Sequence, residues 1–497
     1  MPMFPNLGEI VPREVPGEVA WLTEVAADGA ERTLDFAQLH AQADAVARGL
    51  LARGLARGER VALMAGNSAR YLVAFLGILR AGLVAVPVNS RLPAATLDHI
   101  HRDAQIRLTL ADAATLPALE GRCALPMDDD EAWNDMLDPG PFDSPAMRPE
   151  DFALILYTSG STGRPKGVPL THGGYTWAAD LLVASGPPMA SKRVLVAAPL
   201  FHMNGLLMSL LTSRSGGSVV LLQRFNAAQY LQAAARHRCH VLTSVPTMLA
   251  LVARETALID TLDLGCVETV VTGSAPSSEA LFERIARIFP NARVMNSYGT
   301  TESSPVCFGA HPDGLPRPVL SVGYPMREAE YALVGGPDAD QGVLHLRSRA
   351  VMPGYLNLPE ETAKRMHDGW YDTGDVMRRD ADGFFYFVGR ADDMFVCGGE
   401  NVYPGEVEKL LETHPAIAQA AVVPLPDEIK GQLPVAFIVV RPGHDVTGDE
   451  VRQYALDHAP AYQHPRFVEF IAEMPLTGPN KIDRRQLVER ATREFRR

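Results

Sequence analysis

A strand-like apolar run that leads directly into a loop rich in glycine and hydroxyl groups is the feature that most restricts the fold of this chain. The run is Phe152 to Tyr157, and the loop continues as TSGSTGRPKG from Thr158 to Gly167. Glycines allow a ligand to approach the backbone closely, the hydroxyls supply hydrogen-bond donors, and Lys166 supplies positive charge. These residues predict a polyphosphate-binding loop after a buried strand. A Ser/Thr/Gly-rich linker is the alternative that the residues alone leave open.

The loop does not fit the Walker A pattern, in which GxxxxGK[ST] is followed at once by a helix. Pro165 stands directly before the lysine, and Gly167 to Thr171 reads as extended, with a helix expected to begin near Thr171. An ordinary P-loop nucleotidase is therefore disfavoured.

Helical and strand-like segments alternate before this loop, which predicts an α/β fold. Helical patterns at Phe36 to Arg53 and Ser68 to Ala81 alternate with the short apolar runs Val61 to Met64 and Leu83 to Val88. The segment Met127 to Pro149, rich in Asp and Pro, is expected to be a solvated connector.

The later part of the chain becomes richer in strands and ends in a smaller unit. Short alternating strands are expected at Val343 to Arg347 and Gly383 to Val388, and helices and strands alternate again after Arg390. We therefore expect a large N-terminal domain (1–390) of α/β subdomains plus a β-rich subdomain, and a small α+β C-terminal domain (391–497).

Composition excludes some partners. The chain has 46 basic and 59 acidic residues and a formal charge of −13, which disfavours nucleic acid and anionic membrane surfaces. The N-terminal residues lack the basic and apolar regions of a signal peptide, and the longest apolar stretch, Tyr71 to Val88, is interrupted by Arg80 and Gly82. A cytoplasmic enzyme without a membrane span, monomeric or homodimeric, is the expectation.

The sequence YTSGSTGRPKGV from Tyr157 to Val168 resembles the signature of the adenylate-forming superfamily, which includes acyl-CoA synthetases, firefly-type luciferases and adenylation domains. Further motifs follow in the family's order, so the resemblance runs from about Leu34 to Arg485. It implies that the chain uses ATP and Mg²⁺ to convert a carboxylic acid into an acyl-adenylate, and that coenzyme A then accepts the acyl group. It also implies that the small domain is mobile.

The resemblance assigns nucleotide-binding roles in three motifs. The loop would hold the β- and γ-phosphates through Thr158, Ser159, Gly160, Ser161, Thr162, Gly163 and Lys166. The adenine would lie beside Gly273, Ser274, Ala275 and Pro276. In NSYGTTE the nucleotide would contact Asn296, Tyr298, Gly299 and Thr300; Thr301 would touch the α-phosphate, and Glu302 would bind Mg²⁺ together with Thr158.

Four later motifs complete the implied site. Asp375 of WYDTGD would accept hydrogen bonds from the ribose, a task for which a carboxylate is suited because it accepts two donors. In GRADD, Arg390 would lie near the nucleotide and Asp392 would be the hinge. The pair Gly398 and Gly399 would line the channel for coenzyme A, and Cys397 beside them has no catalytic role.

Lys481 of PLTGPNKIDR would be the catalytic lysine of adenylation, although Asn480 stands where the family mostly has glycine. His202 of PLFHMNG would border the acyl pocket and act with Thr301, Glu302 and Lys481. The expected pocket residues are His202, Met203, Asn204, Ser244, Val245, Met248, Gly299, Ser304 and Pro305.

These pocket segments carry no charge apart from Glu302, so a neutral aliphatic or aromatic acid is expected. Two alternatives stay open. One is an enzyme that loads an acyl or aminoacyl group on a carrier protein, and the other is a ligase for a dicarboxylate such as malonate or oxalate.

Overall fold

The structure is a computed structural model, and it describes residues 6–158, 164–186, 189–275, 277–304, 308–397, 400–427, 429–477 and 482–495. The strands, numbered along the chain, are β1 (Ala20–Val25), β2 (Glu31–Asp35), β3 (Arg60–Met64), β4 (Val84–Pro87), β5 (Ile106–Ala111), β6 (Ala124–Pro126), β7 (Phe152–Thr158), β8 (Lys166–Thr171), β9 (Arg193–Val196), β10 (Ser218–Leu222), β11 (Val241–Ser244), β12 (Thr269–Gly273), β13 (Arg293–Ser297), β14 (Phe308–Gly309), β15 (Tyr324–Pro325), β16 (Glu330–Asp338), β17 (Gln341–Arg347), β18 (Met366–His367), β19 (Trp370–Arg379), β20 (Phe385–Arg390), β21 (Phe395–Cys397), β22 (Glu400–Val402), β23 (Ile417–Asp427), β24 (Gly431–Val440) and β25 (Phe467–Phe470).

The α-helices are α1 (Phe36–Ala52), α2 (Ala69–Arg80), α3 (Ala94–Asp103), α4 (Asp130–Met136), α5 (His172–Ser185), α6 (Met203–Arg214), α7 (Ala227–Arg236), α8 (Pro246–Val252), α9 (Thr256–Ile259), α10 (Glu279–Ile288), α11 (Pro359–Arg365), α12 (Pro404–Glu412), α13 (Gly448–His458) and α14 (Arg484–Phe495). In the described part of the chain, no helix is long and apolar enough to cross a membrane.

Two large sheets organise the first part of the chain. One has the strand order β6-β5-β3-β4-β7-β8, and the other has the order β13-β12-β11-β9-β10-β1-β2. Both are parallel except at one edge, where β8 and β2 pair antiparallel with their neighbours. Parallel sheets need helices on their faces, and α1, α2, α5 and α6 contribute to the apolar core that both sheets share. This confirms the predicted α/β fold.

A third sheet with the order β16-β17-β19-β18, extended by β20 on β19, forms the β-rich part that the sequence predicted. A fourth sheet, β22-β21-β24-β23 with β25 on β24, belongs to the C-terminal unit. Two apolar cores of this unit consist of residues from Phe395 onward. A small unit therefore follows a large one, while the division at 390/391 stays a prediction.

The connector predicted from Met127 to Pro149 is not a loop throughout, and this expectation was wrong. It contains α4, whose first turn carries Asp130 and Glu131. Asp129 caps the helix by accepting a hydrogen bond from the backbone N–H of Ala132 at 2.8 Å. Acidic residues in a first turn are favourable because of the partial positive charge at a helix N-terminus, so this acidic run begins a helix.

Candidate active site

The glycine-rich segment lies between two antiparallel strands. Thr158 at the end of β7 pairs with Lys166 at the start of β8, and residues 159–163 between them, predicted to bind phosphate, lie outside the described residues. The six residues of β8 are extended, and Thr171 then caps α5 by accepting the N–H of Gly174 at 3.0 Å. The segment is therefore a β-hairpin and differs from a Walker A loop, as predicted.

Lys166 forms an ion pair that the sequence did not predict. Its Nζ lies 2.5 Å from Oε2 of Glu361 and 5.2 Å from the ring centroid of Tyr355. Lys364 donates to the other oxygen of Glu361, also at 2.5 Å. The hydrogen bonds from Lys166 and Lys364 lower the pKa of Glu361 to about 2. The carboxylate is therefore ionised at neutral pH and is shared by two ammonium groups.

The segment that contains Tyr355 also binds Glu302. The hydroxyl of Tyr355 donates to Oε1 of Glu302 at 3.0 Å, and the backbone N–H of Met352 donates to the Glu302 carbonyl at 2.7 Å. Burial, followed by the charge of Glu302, raises the pKa of Tyr355, so the phenol keeps its proton and remains a donor. The hydrogen bond from Tyr355 engages Oε1 of Glu302.

Asp375 is a buried carboxylate that binds two polar side chains, the buried Tyr298 and the partly exposed Arg390. The hydroxyl of Tyr298 donates to its Oδ2 at 2.5 Å, and Arg390 donates to its Oδ1 at 2.8 Å. Asp375 is 4% exposed and Tyr298 is 9% exposed. Burial alone would lower the pKa of Arg390, but the charges of Asp375 and Asp392 outweigh it and raise that pKa. We call Tyr298, Asp375 and Arg390 the ribose end.

Tyr371 is a buried phenol on the same strand as Asp375, four residues before it, and is 3% exposed. Burial, followed by the charge of Glu302, raises its pKa well above the usual value. The four groups Lys166, Glu361, Tyr355 and Glu302, which we call the phosphate end, are linked by direct contacts, and Glu302 stands four residues after Tyr298 of the ribose end.

The motif predicted to lie beside adenine follows the parallel strands β12 and β13. Gly273 pairs with Ser297, and a Cβ on Gly273 would lie 2.4 Å from Ser297 Oγ and 2.6 Å from its carbonyl oxygen, so only glycine fits. Ser274 adopts a left-handed conformation with φ +66° and turns the chain away from the sheet. Ala275 follows it, and Pro276 lies outside the described residues.

Two further residues of NSYGTTE, Asn296 and Thr300, are held by hydrogen bonds. Asn296 donates through its amide to the carbonyl of Leu320 at 2.9 Å, and Thr300 is hydrogen-bonded to Ser303 at 3.0 Å. In the sequence, Gly299 and Thr301 stand between the buried Tyr298 and Glu302. Parallel strands end at the same edge of their sheet, where ligands bind in open α/β sheets, so this motif lies beside Gly273.

The predicted acyl pocket is only partly brought together. His202 precedes α6 and its ring lies 4.5 Å from that of Phe201. Asn204 accepts a hydrogen bond from the Thr243 hydroxyl at 2.8 Å and donates to the carbonyl of Ser244 at 3.5 Å. The structure therefore unites Asn204 with Ser244 at the end of β11.

The other pocket residues divide between two cores. Met203 packs against the core shared by the two large sheets, whereas Val245 and Met248 pack in the core beneath α7 and α10. Ser304 is fully buried with φ +60°, and its hydroxyl has no hydrogen-bond partner within the described ranges. Pro305 lies outside those ranges.

Two adjacent aspartates at the predicted hinge contact different parts of the molecule. Asp392 accepts hydrogen bonds from Arg365 at 2.8 Å and Arg390 at 3.2 Å, both on the large unit. Asp393 instead faces Arg484 of the small unit, with 3.9 Å between Oδ2 and Nε. The arginines lower the pKa of Asp392 against the opposing effect of burial, whereas burial raises the pKa of Asp393.

For the segments predicted to carry the catalytic lysine and the coenzyme A channel, only the flanking residues are among those that the structure describes. Leu476 pairs with Ile482, and the N–H of Asp483 donates to the carbonyl of Pro475 at 2.8 Å. Lys481, Gly398 and Gly399 lie outside the described residues. The buried Cys397, which directly precedes the two glycines, pairs with Glu400.

The sequence reasoning missed several residues of this region. Tyr371 stands four residues before Asp375 in a motif already identified, so its position could have been noticed. Tyr355, Glu361 and Arg365 carry no local signal, because their partners are distant in sequence. Tertiary contacts of this kind require a structure.

Comparison with known proteins supports one family. The model of the AMP-binding enzyme matches residues 12–356, and that of the AMP-binding enzyme C-terminal domain matches residues 406–481. A feruloyl-CoA synthase of Amycolatopsis sp is 34% identical over 90% of this chain and 92% of its own. A fatty acid–[acyl-carrier-protein] ligase of Streptomyces coeruleorubidus is 32% identical over 92% of each chain.

The fold is similar to that of an anthranilate CoA ligase whose structure was solved in complex with anthranoyl-AMP. The TM-score is 0.90 at 27% identity, covering 99% of this chain and 98% of that chain. The likeness spans both the large and the small unit. The chain therefore belongs to the AMP-binding enzyme family, which confirms the adenylate-forming superfamily and the AMP-forming ligase class predicted from its motifs.

Proposed function

We propose that the chain is an ATP-dependent acyl-CoA or aryl-CoA ligase acting on a neutral carboxylic acid. The acid and MgATP give acyl-AMP and pyrophosphate, and the thiol of coenzyme A then displaces AMP to give the thioester. The observation that supports this most directly is that Tyr298, whose hydroxyl donates to the buried Asp375 at 2.5 Å, stands only four residues before Glu302. This arrangement offers a carboxylate for ribose and a carboxylate for a metal.

The residues present suit Mg²⁺ bound together with ATP. Among the described residues no group of three or more His, Cys, Asp or Glu could hold a metal alone. Mg²⁺ is commonly bound by one or two carboxylates plus substrate phosphates, which fits the single carboxylate of Glu302, and we propose the Thr158 hydroxyl as a second oxygen donor. The ion neutralises negative charge on the phosphates when it is bound.

The roles of individual residues follow the chemistry of nucleotidyl transfer, in which positioning and charge neutralisation dominate. Asp375 accepts hydrogen bonds from the ribose hydroxyls, and Lys166 together with the hairpin loop holds the β- and γ-phosphates. Thr301 contacts the α-phosphate, and Lys481 stabilises the charge that develops there as the carboxylate attacks. After adenylation the small unit rotates about Asp392 and brings Gly398 and Gly399 to coenzyme A.

A neutral acid is supported by the residues around His202. Asn204, Thr243 and Ser244 offer amide and hydroxyl groups, while Met203, Val245 and Met248 are apolar. A second carboxylate would need a buried Arg or Lys partner, which these residues do not supply. The names of the relatives, feruloyl-CoA synthase and anthranilate CoA ligase, support an aromatic acid in particular.

Transfer to a carrier protein is the second candidate, because one relative is a fatty acid–[acyl-carrier-protein] ligase. The two functions share adenylation and differ in the acceptor thiol. A cytoplasmic location and a monomeric or homodimeric state also stay predictions, as does the domain boundary at 390/391.

Pyrophosphate release over a panel of acids tests the proposal. The panel contains benzoic, cinnamic, fatty and dicarboxylic acids, each with and without coenzyme A, and thioester is identified by mass spectrometry. We expect turnover with a neutral acid and thioester when coenzyme A is present. Turnover with malonate or oxalate alone would refute the neutral pocket, and adenylate without thioester would favour the carrier protein.

Separate half-reactions test the role of Lys481. Lys481→Ala should abolish adenylate formation and leave thioester formation from supplied acyl-AMP largely intact, because the lysine serves only the first step. Equal loss of both half-reactions would contradict this division of roles.

A further inference from the structure

The ion pair between Lys166 and Glu361 is not used by the proposed reaction. The two residues are 195 positions apart in the chain, and their side chains are 13% and 23% exposed. Lys166 is the first residue of β8, and Glu361 lies in the first turn of α11. The fold therefore places a carboxylate at the lysine that is proposed to bind phosphate.

This carboxylate presents the same chemistry as a phosphate oxygen. Ammonium groups form short charge-assisted hydrogen bonds with carboxylates and phosphates alike. The Lys166 ammonium is a compact charge with three donors, and its contact with Glu361 is 2.5 Å. A polyphosphate that reaches Lys166 meets a negative charge already bound there.

The ion pair is not the sole contact between the hairpin and the segment that contains α11. The backbone N–H of Leu356 donates to the carbonyl of Gly167 at 2.8 Å, which joins the two segments through the main chain. The side chain of Thr362 also bonds back to its own segment, donating to the carbonyl of Leu358 at 2.9 Å. Removal of the Glu361 charge should therefore leave the local fold in place.

We propose that Glu361 is a positioning residue that competes with the pyrophosphate end of ATP for Lys166 and thereby limits the affinity for ATP. The inference rests on the proposed function, since it requires that Lys166 contacts the β- and γ-phosphates. Binding of ATP exchanges the carboxylate for a phosphate on the same ammonium. AMP lacks both phosphates and does not enter this competition.

Isothermal titration of ATP and AMP in the presence of Mg²⁺ tests the competition in the full chain. Glu361→Gln removes the charge but keeps the shape, and we expect it to bind ATP about two- to fivefold more tightly, the scale of a partly exposed ion pair. Its affinity for AMP should not change. The matched control is Glu360→Gln, because Glu360 is an exposed neighbour on the same helical turn.

A double-mutant cycle tests whether Glu361 changes the affinity for ATP through Lys166. Lys166→Gln should weaken ATP binding, and Glu361→Gln should have no further effect in that background. Tighter AMP binding, an equal gain in Glu360→Gln, a gain that persists without Lys166, or weaker ATP binding by Glu361→Gln would each overturn the inference.

The failure of the proposed function would look different. A wild-type chain that binds neither ATP nor AMP would refute the nucleotide site and the inference together. If wild type binds both nucleotides and Lys166→Gln binds ATP normally, only the competition at Lys166 is overturned.

Discussion

At the ribose end of the proposed nucleotide site the carboxylate is buried and bonded on both oxygens, whereas at the phosphate end the carboxylate is partly exposed and shared by two lysines. Asp375 is 4% exposed and has partners on both oxygens. Glu361 of α11 has a side chain that is 23% exposed, and its carboxylate is shared by Lys166 and Lys364. Buried, fully bonded groups are costly to disturb, while exposed ion pairs exchange partners at little cost.

This difference matches what each end has to do. The nucleoside stays in place through both half-reactions, so a preorganised ribose end suits it. Pyrophosphate leaves after the first half-reaction, so the phosphate end must release what it holds. The contrast predicts that substitutions at the two ends differ in their effects on stability and on the discrimination between ATP and AMP.

Asp375→Ala should produce the largest effect. It leaves Arg390 without its partner at 2.8 Å and removes the acceptor proposed for the ribose. We expect ATP and AMP both to bind about 100-fold more weakly, and the free energy of unfolding to fall by about 1–2 kcal/mol, because Arg390 is 38% exposed and keeps its bond to Asp392. Titration calorimetry and urea denaturation measure these changes. A loss confined to ATP would break the comparison, because it would move Asp375 to the phosphate end.

Two tyrosines give a matched pair of intermediate effect. Tyr355→Phe removes the donor to Glu302 and should raise the Mg²⁺ concentration for half-maximal adenylation about tenfold, with AMP binding unchanged. Tyr298→Phe removes the donor to the buried Asp375 and should weaken ATP and AMP alike by about fivefold. Equal effects of both variants on AMP would contradict the separation of the two ends.

The pH dependence of the Lys166 ion pair should be the smallest effect. The folded-state pKa of Glu361 is about 2, below the ordinary value of 4.5. The pair therefore stabilises the fold fully above pH 4.5 and loses this contribution as the pH falls towards 2. The difference in Tm between wild type and Glu361→Gln should be constant from pH 6 to 9 and shrink below pH 4.5. A difference that changes around pH 7 would indicate another titrating group.

Much of the site could be predicted because its motifs are local. The order of strand, loop and cap around Thr171 follows from glycine, proline and threonine in adjacent positions, and the structure has the same order. Asp375 and Tyr298 were identified from short motifs, and the fold brings them to 2.5 Å. Local backbone chemistry therefore carries most of the information at the ribose end.

The phosphate end was less predictable, since its partners come from distant segments. Glu361 stands in an ordinary helical turn, and nothing in PEETAK indicates that it faces a lysine 195 residues earlier. The pocket prediction was incomplete for the same reason, because side-chain direction on α8 places Met248 in a core away from Met203. The order of segments along the chain predicts neither the contact between Lys166 and Glu361 nor the position of Met248.

The hairpin form of the glycine-rich segment affects how this site tolerates mutation. In a Walker A loop the N-terminus of a helix supplies part of the positive field through the backbone, which no side-chain substitution removes. Here the six residues of β8 place the start of α5 about 20 Å from Lys166, beyond the range of a helix terminus. The positive charge that the described part of this hairpin offers near Lys166 thus resides in side chains, so a single codon change at Lys166 could remove much of it.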